Sequence, residues 1–146
     1  MSRITLDQAN AIIAGAFGRA AALGLKPLSV AVADAGGHLI AFQRQDGCSI
    51  ARPQIALAKA TGALALGISS RAIADMAAER PSFVASLFAV APQGLVPAAG
   101  GLIVVDQAGA PAGAVGITGD TSDNDEACAL AGIAAAGLVA QGQAKP

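Results

Sequence analysis

The sequence predicts an α/β domain of the α+β kind, in which a central antiparallel sheet built from two hairpins is flanked by helices. Three observations carry that expectation. Two short apolar runs each reach a glycine-bearing turn that opens on aspartate, and each is followed by a second apolar run. Apolar residues recur at helical spacing before, between and after those hairpins. The 146 residues contain no internal repeat and no linker-like change of composition, so one domain over 1–146 is expected.

Thr5-Leu6-Asp7-Gln8 has the form of a capping box, with Thr5 as N-cap and Gln8 reaching back. Leu6, Ala9, Ile13, Ala16, Phe17 and Ala20 follow at helical spacing, and Gly24 ends the helix. Leu28 to Ala33 alternates larger apolar side chains (Leu28, Val30, Val32) with small ones, which predicts a strand with one thick and one thin face. Asp34-Ala35-Gly36-Gly37 turns the chain, and His38 to Arg44 returns as its partner. After the loop Asp46-Gly47-Cys48-Ser49, Pro53 suits a first helical turn and Gly67 a stop. A shorter helix over Ser70–Glu79 is capped by Ser69 or Ser70, and one or two further turns fall within Ser82–Val90.

Ala91 to Gly101 reads as a loop, Leu102–Val105 as a buried strand, Asp106–Gly109 as its turn and Ala112–Thr118 as the returning strand. Ser122 is expected to cap a last helix through about Ala140, with Asp123, Asp125 and Glu126 in its first turn. The expected order is α-β-β-α-α-β-β-α.

Charged residues make up 13% of the chain, against about 25% in an ordinary domain. So few charges fit a protein that hides part of its surface against its own copies, and a homo-oligomer is expected. The net charge is −1, no basic run exists, and Trp and Tyr are absent, which excludes nucleic-acid binding. Cys48 and Cys128 fall outside any CxxC pattern and are expected reduced. The N-terminal Met-Ser-Arg-Ile-Thr-Leu-Asp has no apolar signal core, and Ala127–Ala140 is too short to span a bilayer; a cytoplasmic location and no membrane partner are expected.

His38 is the only histidine, so metal sites built on paired histidines are excluded. At a spacing of two from Ile40 and Phe42 it reads either as a packed strand histidine or as a ligand at the lip of a pocket. Gly113-Ala-Val-Gly-Ile-Thr-Gly119 matches neither the dinucleotide nor the Walker fingerprint, and the acids after it would repel phosphate. Asp123, Asp125 and Glu126 read as helix-start acids before they read as a chelate. Asp34, Arg44, Asp46, Arg52 and Lys59 gather around the first hairpin and the helix after it, either as an exposed ion-paired loop or as the polar rim of a ligand cleft.

Ser29-Val-Ala-Val-Ala-Asp34-Ala-Gly-Gly37-His38-Leu-Ile-Ala-Phe42 followed by Arg44-x-Asp46-Gly47 resembles the opening hairpin of the GlcG/HbpS-like haem-binding family. Lys59-Ala60-Thr61, Gly100-Gly101, Gly113–Gly119, and Asp123-x-Asp125-Glu126 with Cys128 and Ala131-Gly132 resemble its later motifs, so the likeness runs from about Thr5 to Val139. There are departures: Gly100-Gly101-Leu102-Ile103 lacks the family's proline, and Gly62-Ala63-Leu64 replaces its polar helix.

The resemblance implies a profilin-like fold, a homo-oligomer that is often an octamer, and haem as the cofactor. It implies His38 as the residue on the haem iron, with Thr118 and Lys59 behind it, and a ligand site that includes Phe42, Arg44 and Arg52. Two other readings stand beside it. One is an enzyme acting on a small hydroxy- or keto-acid, with Asp34, His38 or Asp46 as acid–base and Arg52 or Lys59 holding the carboxylate. The other is an accessory subunit without catalysis.

Overall fold

The computed structural model describes residues 3–143; the opening Met1-Ser2 of the signal-sequence reading lies outside them. The chain runs α1 (Leu6–Leu23), β1 (Ser29–Asp34), β2 (Leu39–Arg44), α2 (Arg52–Leu66), α3 (Ser70–Glu79), α4 (Pro81–Leu87), β3 (Gly101–Val105), β4 (Pro111–Thr118), α5 (Ser122–Ala135) and β5 (Val139–Ala140). All pairings are antiparallel, in the order β2-β1-β4-β3-β5. Both predicted hairpins are present, and they join through β1 and β4 in the middle of one sheet.

Each face of that sheet is covered, and the strand sequences decide by what. Leu28, Val30, Val32, Val115 and Ile117 form the thick face and pack with Ile12, Ile13 and Ile133 of α1 and α5. Burying side chains of this size contributes roughly 1.5–3 kcal/mol each, which makes this the main core. The other face is small: Ala31, Ala33, Ala114 and Gly116. Here α2 lies almost on the backbone, because a Cβ on Gly116 would collide with the Ala56 carbonyl oxygen and one on Gly101 with that of Lys59. Ala56, Ala60 and Ala63 on α2 complete the close approach. A second, smaller cluster of Ile73, Val84, Ala91 and Leu95 holds α3 and α4 together.

The α1 capping box forms as predicted, with Gln8 N donating to Thr5 Oγ1 at 3.1 Å and Thr5 N donating to Gln8 Oε1 at 2.9 Å. Leu6, expected on the buried stripe, is 57% exposed, because the stripe proper begins at Ala9.

Other expectations are corrected. The turns placed within Ser82–Val90 form α4, which starts at Pro81, where a proline in the first turn loses no hydrogen bond. The last helix is capped by Thr121, whose Oγ1 accepts from Asn124 N at 3.2 Å, and not by Ser122. It also stops at Ala135 rather than Ala140. Gly137 takes φ +72°, and Leu138 N closes on Ile133 O, which turns the chain back as β5 alongside β3.

Candidate functional site

The turn between β1 and β2 is built around one carboxylate. Asp34 Oδ1 accepts from Gly36 N and His38 N, both at 2.9 Å, and stands 3.2 Å from His38 Nδ1. Those amides, that of His38 first, hold the Asp34 carboxyl below its usual range. Gly37 adopts φ +84°, which a side chain would oppose, and its amide donates to Asp34 O at 2.9 Å.

His38 stands in this turn with its side chain 80% exposed, not on the strand as expected. The β1–β2 register slips by one between Val32–Ala41 and Ala33–Leu39, leaving Ile40 as an extra residue. That bulge breaks the alternation, so the spacing His38–Ile40–Phe42 no longer puts the three on one face.

Beside the turn lies a cleft of about 190 Å³ lined by Ala35, Gly36, Gly37, Thr61, Leu64, Ala65, Pro92 and Gln93. Its floor is the second half of α2, and its far wall is held by Gln93 Nε2, which donates to Gly37 O at 2.7 Å. Thr61 turns its hydroxyl back to Leu57 O at 2.9 Å and offers the cleft its methyl side. Leu64, Pro92 and Gln93 were absent from the sequence-derived site. The loop after α4 has no periodicity, so nothing in its sequence says that it folds back over the first hairpin.

The polar rim expected from Asp34, Arg44, Asp46, Arg52 and Lys59 does not assemble. Arg44 pairs with Ser29 at the opposite end of β2, so at about 3.3 Å per residue it stands roughly 20 Å from His38. Arg52, in the first turn of α2, donates from Nη1 to Thr118 Oγ1 at 2.7 Å at that same far end. Thr118 is therefore engaged by an arginine and is distant from His38. Asp46 is exposed in the loop after β2.

Lys59 is sealed inside the protein, 3% exposed, where Nζ donates to Ala99 O and Ile117 O at 2.9 Å and to Asp125 Oδ2 at 3.2 Å. All three ammonium protons are thereby taken, and none remains for a ligand carboxylate. The small-acid enzyme reading needs Asp34, His38 or Asp46 beside Arg52 or Lys59. The fold keeps Asp34 and His38 away from Arg52, Lys59 is already paired inside the protein, and among the described residues Asp46 forms no ion pair with Arg52.

The acids at the start of α5 are likewise committed to cations: Arg71 of α3 pairs with Asp123 and Glu126, and Asp125 faces Lys59. Among the described residues no group of three His, Cys, Asp or Glu side chains is placed to hold a metal ion. Cys48 and Cys128 are both free, and burial pushes the Cys128 thiol above its usual range. No helix among the described residues is long and apolar enough to cross a membrane.

Fold and turn define an α+β domain of the profilin-like kind, with its small-residue face under one helix and a histidine-bearing hairpin turn at the end of its sheet. The chain belongs to the family of haem degrading proteins described as HbpS-like, whose model matches residues 4–134. Among solved structures it is similar to Klebsiella pneumoniae protein ORFY, at 25% identity over 95% of this chain and 94% of that one, with a TM-score of 0.84. HbpS is similar at 29% identity over 92% and 90%, with a TM-score of 0.78, and a double mutant of Streptomyces reticuli HbpS at the same identity and TM-score over 92% and 87%. PduOC, crystallised as a haem complex, shares the fold at 22% identity over 97% and 99%, with a TM-score of 0.84. No curated protein sequence matches the chain.

Proposed function

We propose that this protein binds haem at the β1–β2 turn, with His38 as the residue that would hold the iron. One observation carries the reading: Asp34 Oδ1 stands 3.2 Å from His38 Nδ1 in an exposed turn, and Nε2 makes no hydrogen bond or ion pair among the described residues. A carboxylate on the far ring nitrogen is the usual support of a metal-bound imidazole, since it fixes the tautomer and raises the basicity of the ligating nitrogen. The donor set therefore fits an iron porphyrin. Bound there, haem would supply a redox-active iron, which the His38 imidazole would hold. Apolar surface for such a ring is offered near the turn by Leu39, which is 51% exposed, and by Leu64 and Pro92 in the neighbouring cleft. The family description and the haem complex of PduOC support the same ligand.

The cleft is smaller than the roughly 300–1,000 Å³ of an enclosed ligand pocket, so this face alone cannot bury a porphyrin. A second copy of the chain laid over the exposed turn would complete the enclosure, in keeping with the low charge content. Haemin titration monitored at the Soret band tests the reading. Wild type should bind stoichiometrically, and His38→Ala should lose the histidine-ligated spectrum while keeping its fold and its assembly size by light scattering. A wild-type protein that leaves haemin unbound, or a His38→Ala variant with an unchanged spectrum, would sink it.

A further inference from the structure

The far end of the sheet holds a polar corner that the haem reading does not use. Arg44, Ser29 and Thr118 stand side by side on one rung across β2, β1 and β4; Ser29 and Thr118 are buried on the face covered by α2, and Arg44 is exposed on the edge strand beside them. On Thr118 lies Arg52, half-buried, with one guanidinium N–H on Thr118 Oγ1 at 2.7 Å. The hydroxyl of Ser29 is completely buried on that rung, next to Thr118, and has no hydrogen-bond partner. A buried hydroxyl left without a partner costs about 1–3 kcal/mol, so it marks a position where something is missing. The charges are unbalanced in the same place. Among the described residues no carboxylate lies within ion-pair distance of Arg44 or Arg52. Asp120, two residues beyond Thr118, is taken up by Lys26 N, Thr121 N and Asn124 Nδ2. Ala51 gives the first turn of α2 no side-chain cap.

We infer that this corner is a binding site for a small carboxylate, held by the Arg52 guanidinium and Arg44 with the Ser29 hydroxyl as an inner donor. A guanidinium presents parallel N–H groups that match the two oxygens of a carboxylate, whereas a tetrahedral oxoanion needs donors on more sides than the rung provides. Arg52 is the hinge of the site. Because the Ser29 hydroxyl is buried, the site requires Arg52 to turn its free edge toward the anion and uncover that hydroxyl while keeping Thr118. Burial first, and the nearby Arg52 charge to a smaller extent, hold the Lys59 ammonium below its usual pKa, and an anion on Arg52 would offset the smaller of the two. The site is independent of His38, which stands at the other end of β2.

Calorimetric titration with sodium acetate, against sodium chloride at matched ionic strength, tests it on the intact protein. Acetate should bind saturably and raise the melting temperature, while chloride should not. Arg52→Lys keeps the charge and loses the fork, and should weaken acetate by about tenfold. Arg52→Gln should abolish binding, Ser29→Ala should weaken it several-fold in a protein that melts no lower, and His38→Ala should leave it unchanged. Acetate with no saturable effect beyond chloride, or undiminished binding by Arg52→Lys, overturns the site. Phosphate binding more tightly than acetate overturns the carboxylate assignment. Haemin binding is read separately, so either site can fail without the other.

Discussion

Lys59 on α2 and Asp125 on α5 form an ion pair at 3.2 Å, both side chains no more than 3% exposed, that joins the two helical layers through the end of the sheet. The pair is fully satisfied: Lys59 also reaches Ala99 O and Ile117 O, and Asp125 Oδ1 accepts from Asp120 N at 3.0 Å. Burial works against both charges, pushing the Lys59 ammonium down and the Asp125 carboxyl up, and each partner offsets part of the other's cost.

Removing one partner should therefore be much worse than removing both. Lys59→Met leaves Asp125 buried without its cation and should cost about 3–5 kcal/mol. The double variant Lys59→Met with Asp125→Leu should recover much of that loss. Denaturant melts of the two singles and the double check this; equal, additive losses would mean that the pair is not coupled.

Gly116→Ala should be among the most destabilising single changes, since the added Cβ meets the Ala56 carbonyl oxygen, a backbone atom that moves only with α2. A loss of about 3 kcal/mol or more is expected, at the upper end for overpacking. Gly18→Ala in α1, whose Cβ would meet nothing, is the control and should be neutral or stabilising by about 1 kcal/mol. Thermal unfolding of the two variants side by side gives the comparison.

Thr121→Ala should weaken the start of α5 by about 1 kcal/mol, because its hydroxyl caps Asn124 N. Ser122→Ala should be close to neutral. The reverse order in chemical denaturation would restore Ser122 as the cap.

These positions also mark what was legible in the sequence. Alternation in Leu28–Ala33 gave away the thick and thin faces, and the capping box and glycine stops located the helices, because all of these act within a few residues. Thr121 and Ser122 are chemically near-equal caps, so only the backbone distinguishes them. The bulge at Ile40 was invisible because the side-chain pattern across it stays apolar. Nearness in sequence does not bring the charged residues together either: a six-residue strand separates His38 from Arg44, and a helix turns Lys59 inward. The Gln93 contact to Gly37 joins residues 56 positions apart, which no local pattern records.

Acid should loosen the corner where β1 begins. Asn124, Lys26 N and Thr121 N hold the Asp120 carboxyl down to about 2 from an ordinary 3.8. A depressed carboxyl contributes stability that is complete above its unfolded value and disappears as pH falls through its folded one. Stability should therefore fall between about pH 4 and pH 2, and Asp120→Asn should be weaker at neutral pH and flatter across that window. A pH profile of melting temperature for both proteins decides it; parallel curves would remove Asp120 as a cause.

The last prediction separates the two members of the hairpin turn. If His38 ligates haem iron, Asp34 acts on the metal only through the imidazole, by orienting the ring and favouring the tautomer whose Nε2 is free. Asp34→Asn retains an oxygen for the Gly36 and His38 amides, so the turn should persist and the Soret position should still report a histidine ligand. What it removes is the negative charge at Nδ1, and the haemin affinity should fall by about 10–100-fold, the usual cost of losing such a support. Asp34→Ala also takes away both amide contacts and should lower affinity further, together with the melting temperature. Absorbance titrations with haemin across wild type, Asp34→Asn and His38→Ala then give a fixed order. Wild type binds tightly with the ligated spectrum, Asp34→Asn more weakly with the same spectrum, and His38→Ala without it. Equal affinity for wild type and Asp34→Asn would mean that the carboxylate serves the turn alone, and a changed spectrum in Asp34→Asn would mean that it holds the ring in place.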